Sequence, residues 1–441
     1  MPKGETMKIL KVIHGYPMRY NAGSEICSQM MVHRLVNAGH EVEVFSRYEN
    51  PFEPDFATRT EHDDLCPEVR LSLVNMTRSK DRYQHQQVDK IFGDVLERFQ
   101  PDITHIGHLN HLSTSLIFEI KKRHIPIVFT LHDYWLICPR GQFMQFNIGE
   151  PEPWQVCEGQ EDHKCAEKCY SRYISGGTDS PKDLMYWTSW VSQRMRHSRE
   201  VMEAVDLFIA PARYLRDRFL SGSEIPRKKI HHLDYGFDLE RLKNRQRSPE
   251  PGLVFGYIGR HVPAKGIHLL IKAFGKTTGE AHLKIWGRDR ENATPYLKEL
   301  VRQLPPERQT RIRWLSEYRN EDIVKEVFNY MDVIVVPSIW VENSPLVIHE
   351  AQQVRLPVIT ANVGGMAEYV RHQENGLLFA HRDAGDMAKQ MQRLIDHPEL
   401  CQRLGQRGYL YSGDGNIPDV TDHMTEIEAL YFQLTQRRKA A

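Results

Sequence analysis

The sequence predicts an α/β fold with two doubly wound domains, in which helices cover both faces of largely parallel sheets. Short apolar runs rich in Val and Ile alternate with amphipathic helical segments along almost the whole chain. This alternation starts afresh after a polar segment at Arg241–Pro251, which has the composition of a linker. A chain of 441 residues is also too long for one ordinary core. We therefore expect two successive domains.

In the first half, apolar and β-branched runs predict strands, and the segments between them predict helices. The predicted strands are Lys8–His14, Glu41–Phe45, Val69–Val74, Ile103–Ile106, Ile125–Leu131, Asp206–Ala210 and Lys229–Leu233. The predicted helices are Ser24–Ala38, Gln84–Phe99, Ser113–Arg123, Lys182–Ala204 and Ala212–Leu220. The loops that follow parallel strands form the usual binding edge of such a sheet, so residues there are the first candidates for function.

The second half repeats the same alternation. Its predicted strands are Leu253–Ile258, His282–Trp286, Arg311–Leu315, Val333–Val336, Pro357–Thr360 and Leu377–Phe379. Its predicted helices are Ile267–Phe274, Tyr296–Arg302, Asn320–Tyr330 and a helix that begins at Leu346, with a further helical region at the end of the chain.

Charge and hydropathy exclude several classes of protein. The 58 Lys and Arg residues balance the 58 Asp and Glu residues, so no global charge points to nucleic acid. No apolar run has membrane-spanning length, and the N-terminus has no secretory apolar segment. We therefore expect a cytoplasmic protein whose seven cysteines do not form a disulfide framework.

The stretch Val333–Glu350, which reads VIVVPSIWVENSPLVIHE, gives the clearest signal of a site. Its β-branched run predicts a buried strand that ends at Pro337. Ser344 and Pro345 then stand in the order of a helix N-cap and a first helical position, ahead of Leu346. The free N–H groups of such a helix start attract phosphate.

Two glutamates flank this helix start. Glu342 lies just before it and Glu350 within it, and a carboxylate can accept hydrogen bonds from a pair of sugar hydroxyls. Arg260 and Lys265 follow the first strand of the same half and could neutralise a diphosphate. The structural alternative is a capped helix with two surface glutamates and a solvated pair of cations.

Two positions in the first half could also reach a ligand. Gly23 lies at a loop-to-helix junction, where it would let the backbone approach a phosphate, although a plain turn glycine is the alternative. His132, followed by Asp133, ends a predicted strand, where an imidazole is placed either to contact a ligand or to serve the fold.

Taken together, these motifs resemble the retaining glycosyltransferases of family 4, which have the GT-B fold. The resemblance covers nearly the whole chain and is most specific from Gly256 to Phe379. It rests on five features in order, namely Gly23, His132-Asp133, the GR-x4-KG loop (Gly259, Arg260, Lys265, Gly266), the E-x7-E pair (Glu342, Glu350) and Gly364-Gly365.

The resemblance implies a GT-B fold of two Rossmann-like domains that face each other across a cleft. It divides the chain into residues 1–240, with an insertion at 134–181, and residues 252–410, which hold the nucleotide sugar. In this fold the terminal helix, residues 419–441 here, joins the first domain. No metal serves catalysis in most members, and the sequence has no DxD-type carboxylate cluster.

The resemblance also implies a role for each site residue. Arg260 and Lys265 resemble the diphosphate clamp, Glu350 the ribose ligand and Glu342 the donor-sugar ligand. His132 would contact the donor sugar, and Gly23 would allow the N-terminal loop to approach the diphosphate. The remaining predicted contacts to the phosphates, sugar or base are Asn343, Ser344, Pro345, Leu346, Leu315 and Ser316.

The implied function is transfer of a hexose, with UDP-glucose as the favoured type of donor, to a saccharide or lipid-linked acceptor in polysaccharide biosynthesis. A nucleotide-sugar epimerase of the same fold is one alternative. A catalytically silent sugar-binding subunit is another, although the intact Arg260, Lys265, Glu342 and Glu350 argue against it. The sequence leaves open the sugar, the nucleotide (UDP or GDP) and the acceptor.

Two further features concern the insertion and the helix after it. Cys138, Cys157, Cys165 and Cys169 could form a structural zinc site, although only the last two are closely spaced, and four unliganded thiols are the alternative. In the helix Lys182–Ala204, a core-facing stripe is predicted at Leu184, Trp187, Val191 and Met195. Peripheral contact with an anionic membrane, on the inner face of the plasma membrane, is predicted through Tyr186, Trp190, Arg194, Arg196, Arg199 and the basic run Lys121–His124. The alternative is a core helix whose additional tryptophan also packs inside.

Overall fold

We describe the protein from a computed structural model, which covers residues 6–17, 19–20, 22–77, 83–147, 150, 152–171, 180–289 and 292–440. The chain forms two compact units. Unit 1 comprises Met1–Asn147, Cys157–Gly236 and Pro418–Ala441, and unit 2 comprises Ile148–Val156 and Phe237–Ile417. Part of the insertion is thus counted with unit 2, and the units divide at residue 237. Residues 148, 149, 151 and 172–179 of the insertion lie outside the described part.

Unit 1 contains a sheet of eight strands in the order β10-β9-β6-β5-β1-β2-β4-β3. All neighbours in it pair in parallel except β3, which is antiparallel to β4. The strands before residue 237 are β1 (Lys8–Val12), β2 (Glu41–Tyr48), β3 (Thr58–His62), β4 (Arg70–Asn75), β5 (Ile103–Ile106), β6 (Ile127–Thr130), β7 (Met144–Phe146), β8 (Trp154–Val156), β9 (Leu207–Ala210) and β10 (Ile230–His232). Strands β7 and β8 belong to the insertion and lie outside this sheet.

The helices of unit 1 before residue 237 follow the predicted pattern except for α4, which lies in the insertion and was not predicted. They are α1 (Gly23–Asn37), α2 (Gln86–Phe99), α3 (Leu116–Lys122), α4 (Asp162–Cys165), α5 (Pro181–Ala204) and α6 (Arg213–Gly222). Helix α2 shows why they form, because its apolar positions recur at intervals of three and four and bury one stripe. Val88, Phe92, Val95, Leu96 and Phe99 make up that stripe.

The edge strand β3 is absent from the sequence prediction, in which residues 46–82 hold only the strand that corresponds to β4. All its residues are polar, and its side chains are mostly exposed. A strand at a sheet edge needs no apolar face once its backbone pairs with a neighbour, so the sequence carries no period-two signal here.

Unit 2 contains a parallel sheet of six strands in the order β13-β12-β11-β14-β15-β16. The strands are β11 (Leu253–Ile258), β12 (Ala281–Trp286), β13 (Ile312–Leu315), β14 (Val333–Val336), β15 (Val358–Ala361) and β16 (Gly376–Phe379). The helices are α7 (Ile267–Gly275), α8 (Thr294–Arg302), α9 (Pro306–Gln309), α10 (Ile323–Glu326), α11 (Leu346–Gln353), α12 (Gly364–Tyr369), α13 (Ala384–Asp396) and α14 (Glu399–Arg407). The predicted α/β class with parallel sheets in both halves is confirmed.

The predicted helix Asn320–Tyr330 is broken. Only α10 is α-helical, because Val327 leaves the helical region at φ −127° and ψ −66°. The backbone carbonyl of Phe328 accepts a hydrogen bond from Arg245, and that of Asn329 accepts one from the Ser248 N–H. The segment predicted as a linker therefore packs on unit 2 and uses the backbone groups that a longer helix would need.

The last helix, α15 (Val420–Ala440), belongs to unit 1. Val420, Met424, Ile427 and Tyr431 are buried in the same core as the β1 and β2 side chains. The hydroxyl of Tyr431 also hydrogen-bonds to Nδ1 of the buried His105. In the part of the chain that the structure describes, no helix is long and apolar enough to cross a membrane.

Candidate functional site

In unit 2, the loop after β14 brings three predicted or neighbouring polar groups together. The Lys265 ammonium lies 2.7 Å from Oε1 of Glu342, and the Ser338 hydroxyl donates to the same oxygen. The Glu342 side chain is only 6% exposed, whereas Lys265 is 27% exposed. A buried carboxylate thus has a cation and a hydroxyl donor before any ligand arrives.

Two glycines explain how these loops approach so closely. Gly266 has φ +70°, and a Cβ there would lie 1.9 Å from the Pro337 carbonyl oxygen. A Cβ on Gly365 would lie 1.3 Å from the Asn343 carbonyl oxygen, and its N–H donates to the Glu342 carbonyl at 2.8 Å. The GR-x4-KG loop and the start of α12 therefore both rest against the loop after β14, and no larger residue would fit at either contact.

Helix α11 begins at Leu346, as predicted, but Pro345 is in extended conformation at the N-cap and is not the first helical residue. The expectation that Ser344 caps this helix is wrong, because no side chain caps it. The Ser344 N–H instead bonds to Oδ1 of Asn343 at 2.6 Å. Its hydroxyl is buried and has no hydrogen-bond partner among the described residues, so it is available to a ligand.

Glu350, within α11, has a partner that the sequence did not reveal. Arg241 Nη2 lies 2.5 Å from Glu350 Oε1, and both side chains are less than 10% exposed. Arg241 also donates to the backbone and side chain of Asn320. Burial raises the pKa of Tyr318, the Glu350 charge raises it further and Arg241 lowers it, so this phenol lies beside the pair. In the sequence Arg241 belongs to the predicted linker. Only its position in the structure identifies it as the partner of Glu350.

Arg260 lies after β11 and is exposed. Its side chain forms no hydrogen bond or ion pair within the described ranges, so its charge is free for an anion. Burial and the Glu342 charge raise the pKa of Tyr257, and Arg260 lowers it, which places Tyr257 near both. The predicted base contacts Leu315 and Ser316 lie at the carboxyl end of β13, where the first is half-buried and the second exposed.

The arrangement in unit 2 can hold an anion that carries hydroxyl-rich groups. Two carboxylates, each paired with a cation, stand at the start and within the first turns of α11. Arg260 and Lys265 supply positive charge beside the same loop. Such a set matches a diphosphate with a sugar on either side, because carboxylates accept from hydroxyls and guanidinium groups bind phosphate.

In unit 1, three histidines each stand two residues after the end of a parallel strand: His14 after β1, His108 after β5 and His132 after β6. Parallel strands end at one edge of the sheet, and the rings of His14 and His108 lie 4.6 Å apart. Only His132 is a predicted site residue. The spacing of all three from their strands was the signal available for the other two.

Each of these histidines has a polar partner. His14 Nε2 lies 3.3 Å from Oε1 of the buried Glu25, and His108 Nε2 lies 3.1 Å from Oδ2 of Asp133. His132 Nδ1 lies 2.7 Å from the hydroxyl of Tyr235.

Burial lowers the pKa of His14 and of His132 well below the ordinary value, with nearby cations and imidazoles adding to the effect. These two rings are therefore neutral hydrogen-bonding groups near pH 7. Gly23 is exposed and is the first residue of α1, as its predicted role requires.

The four cysteines of the insertion are buried and free. The Cys157 thiol faces the Gly159 carbonyl at 3.0 Å, and the Cys169 thiol faces the Met144 carbonyl at 3.8 Å. Burial raises the pKa of Cys165 and Cys169 to about 12. Across the described residues, no three His, Cys, Asp or Glu side chains are arranged to hold a metal. The structure therefore does not show the predicted zinc site, which stays a prediction.

The structure corrects the predicted membrane face of α5. In the predicted core stripe, Trp187, Val191 and Met195 are confirmed by burial, and Leu184 is half-buried against them. Arg194, however, is only 2% exposed and donates to the Trp135 carbonyl at 2.8 Å while it lies over the Trp135 ring. Trp190 packs against the rings of Tyr83, Tyr170 and Trp187.

The basic run that is predicted to contact the membrane is paired with carboxylates. Lys121 lies 3.1 Å from Asp206, Lys122 lies 2.5 Å from Glu119, and Arg123 lies 2.8 Å from Glu97. Three positive charges that already have acidic partners attract a lipid headgroup only weakly.

Comparison with known proteins gives two family matches. Residues 22–241 match the family described as Glycosyltransferase Family 4, and residues 238–411 match Glycosyl transferases group 1. A D-inositol 3-phosphate glycosyltransferase of Corynebacterium efficiens is 33% identical over 204 residues, which is 44% of this chain and 46% of the relative. The capsular polysaccharide biosynthesis glycosyltransferase CapM of Staphylococcus aureus is 26% identical, over 47% of this chain and 58% of the relative. The chain thus spans about half the length of these curated relatives.

Solved structures share the fold over the whole chain. Anabaena HepE in complex with UDP and glucose superposes with a TM-score of 0.66 and 17% identity, over 97% of this chain and 100% of that one. Sucrose-phosphate synthase of Thermosynechococcus elongatus superposes with a TM-score of 0.68 and 18% identity, over 98% of both chains. From the two family matches and these structures, the chain belongs to the family 4 glycosyltransferases and has the GT-B fold.

Proposed function

We propose that this protein transfers a hexose from a nucleotide-diphosphate sugar, with UDP-glucose as the favoured donor, to a saccharide or lipid-linked acceptor in polysaccharide biosynthesis. The observation that carries the proposal is the pair of ionic contacts around α11, Lys265 with Glu342 and Arg241 with Glu350. The HepE structure, a relative in fold, holds UDP and glucose. Glycosyltransferases of capsular polysaccharide and inositol phosphate are among the sequence relatives.

Within this proposal, Glu342 binds hydroxyls of the donor sugar, and Glu350 binds the ribose. Arg260 and Lys265 bind the diphosphate, with help from the backbone around Asn343. Departure of the leaving group concentrates negative charge on the diphosphate, so fixed cations close to it lower the barrier. The transfer proceeds with retention and without a catalytic metal. In unit 1, His132 and Gly23 remain predicted ligand contacts.

The ion pair between Lys265 and Glu342 should change when the donor binds. While the donor is absent, the lysine neutralises the carboxylate. A diphosphate would compete for the ammonium and leave the carboxylate free to accept hydroxyl hydrogen bonds. Binding of the phosphates would thereby prepare Glu342 for the sugar.

A panel of nucleotide sugars tests the proposal. Each is incubated with the protein and with saccharide or lipid-linked acceptors, and released nucleotide and free or isomerised sugar are measured. If the protein is a transferase, nucleotide release should increase when an acceptor is present. The release rate should fall at least about 100-fold in Glu342→Ala and in Glu350→Ala, but not in the control Glu374→Ala. An isomerised sugar would indicate the epimerase, and no turnover with intact donor binding would indicate a silent subunit.

The insertion is proposed to hold a structural zinc ion through Cys138, Cys157, Cys165 and Cys169. The support is that all four thiols are buried, and that Cys165 and Cys169 lie in one core cluster. Cys157 and Cys169 also contact the adjacent residues Phe143 and Met144. Binding would require the thiols to rotate away from their present carbonyl partners and to lose their protons.

Metal analysis of protein purified without chelator tests the zinc proposal, with about one equivalent per chain expected. Replacing Cys165 and Cys169 together by Ser should remove the metal, whereas Cys27→Ser with Cys401→Ser should not. Protein that is free of metal in both forms would contradict the proposal.

Peripheral binding to an anionic membrane is proposed through the outward face of α5, where Tyr186, Arg196 and Arg199 remain from the predicted set and Met185 is added. All four are exposed, and Met185 and Tyr186 are exposed by 73% and 61%. Co-sedimentation with anionic vesicles at low salt should be lost in a variant that replaces both arginines by Glu. Wild-type protein that stays in the supernatant at low salt would contradict this proposal.

A further inference from the structure

The insertion of unit 1 supplies one short segment, residues 152–156, that is part of unit 2. Pro153 and Trp154 from this segment line a cavity of about 240 Å³. The facing walls include Pro263 from the GR-x4-KG loop and Ile339 from the loop after β14. An aromatic side chain of the insertion thus borders both loops that carry the candidate diphosphate and sugar ligands.

An ion pair joins the same segment to a second residue that lines the cavity. Glu152 Oε2 lies 3.1 Å from Arg382 Nη2, where the Arg382 side chain is 18% exposed and that of Glu152 is 56% exposed. Arg382 has φ +67°, a left-handed conformation that a residue with a Cβ adopts only where its surroundings hold it.

Ile339, which lines this cavity together with Trp154 and Arg382, connects it to the site. Its neighbour in the chain, Ser338, donates its hydroxyl to Glu342, and Glu342 pairs with Lys265. The cavity that the insertion lines is therefore one residue along the chain from the group that bonds to the carboxylate proposed to hold the donor sugar.

A second link returns through the GR-x4-KG loop. The Ile339 N–H donates to the Ala264 carbonyl at 2.9 Å, next to Lys265 in the chain. Ile339 therefore lines the cavity of the insertion and bonds to the loop of Lys265. A shift of Ile339 would act on both segments that carry the Lys265–Glu342 pair.

We infer that residues 152–154 of the insertion are positioning residues of the donor site, which hold the loop 338–342 through the cavity that they line with Ile339 and Arg382. The inference rests on the proposed role of Glu342 and Lys265 in donor binding. The insertion would then stabilise a loop of unit 2 in addition to any structural role in unit 1. The physical reason is that the loop after β14 is irregular backbone, and such backbone keeps one conformation only where neighbours restrain it.

Hydrogen exchange of the ligand-free protein tests the restraint without any knowledge of the donor. Arg382→Gln removes the ion pair, and Trp154→Ala removes the aromatic wall. Each should increase the exchange rate of amides in a peptide that covers residues 338–345 by about threefold or more, the range expected for losing a partly exposed ion pair or a packed ring.

Matched controls come from unit 2 itself. Arg371→Gln breaks the ion pair with Glu374, and Tyr330→Ala truncates another exposed aromatic residue. Neither should change exchange in residues 338–345. Rates in Arg382→Gln and Trp154→Ala that equal those of the wild type would overturn the inference.

Donor binding separates failure of the inference from failure of the proposed function. Calorimetry with UDP-glucose should show a several-fold weaker affinity in Arg382→Gln and Trp154→Ala. The charge-exchanged variant, Glu152→Arg with Arg382→Glu, should regain part of the loss. If Glu342→Ala also binds UDP-glucose normally, the proposed function fails. If Glu342→Ala weakens binding while the insertion variants change neither exchange nor affinity, the inference alone fails. If the wild type does not bind UDP-glucose, the hydrogen-exchange experiment alone decides whether the inference holds.

Discussion

Replacement of Gly365 by Ala should disable the candidate site through one steric contact. An added Cβ would lie 1.3 Å from the Asn343 carbonyl oxygen and 2.3 Å from its carbon. Ordinary contact would require the two backbone segments to separate by about 2 Å. That movement would also break the hydrogen bond from the Gly365 N–H to the Glu342 carbonyl. Together, overpacking and the lost hydrogen bond should destabilise the protein by about 3 kcal/mol.

The assay compares thermal unfolding and UDP binding of Gly365→Ala with those of Gly413→Ala. A Cβ added to Gly413 would meet no atom within 4 Å, so that substitution should be neutral. A loss of about 3 kcal/mol corresponds to a fall in Tm of about 6 to 12 °C. We also expect at least a tenfold loss of UDP affinity in Gly365→Ala. Identical Tm and affinity in the two variants would refute the close packing of α12 against the loop.

Two further predictions concern buried charges. Arg241→Ala should lower the free energy of unfolding by about 3 kcal/mol, because it leaves Glu350 buried and unpaired. Adding Glu350→Ala should restore much of the lost stability. A double variant whose loss in thermal unfolding is the sum of the two single losses would contradict this prediction. Burial lowers the pKa of Lys11 from 10.5 to about 7. Between pH 7 and pH 10.5 the unfolded chain therefore binds more protons than the folded one, so the stability of the wild type should rise with pH over this range. Lys11→Met should therefore raise Tm by more at pH 7 than at pH 10, and an equal gain at both pH values would show that Lys11 is not desolvated.

The elements with strong apolar periodicity could be predicted from the sequence. Strands β11 and β14 have the predicted bounds, and α2 and α7 differ by at most two residues, because in these segments burial and local pattern agree. The polar edge strand β3 and the broken helix around α10 could not be predicted. Both depend on backbone hydrogen bonds to segments distant in sequence, which leave no local pattern.

The sequence indicated which motif residues lie near each other, while their roles in a site stay predictions. Lys265 pairs with Glu342, and Gly365 packs against Asn343 in the same loop. Partners that arrive from elsewhere in the chain were missed, and Arg241 is the clearest case.

The direction of side chains was also hard to predict. Helical spacing predicts an outer face of α5 for Arg194, yet its side chain lies inside over Trp135. Ser344 has the sequence context of an N-cap, but the extended conformation of Pro345 moves the helix start beyond its reach. Helical spacing determines which residues share a stripe, and the neighbouring elements determine which stripe is covered.

Calorimetric titration with UDP and with uridine tests the central claim most directly, namely that the loops around α11 hold a nucleoside diphosphate. We predict that Arg260→Ala and Lys265→Ala each weaken UDP binding by about tenfold or more, because each removes a positive charge beside the diphosphate. Uridine affinity should stay the same in both variants, and the control Arg371→Ala should bind both ligands like the wild type. Equal loss for UDP and uridine, or no loss for either, would contradict the assignment of these two residues to the diphosphate.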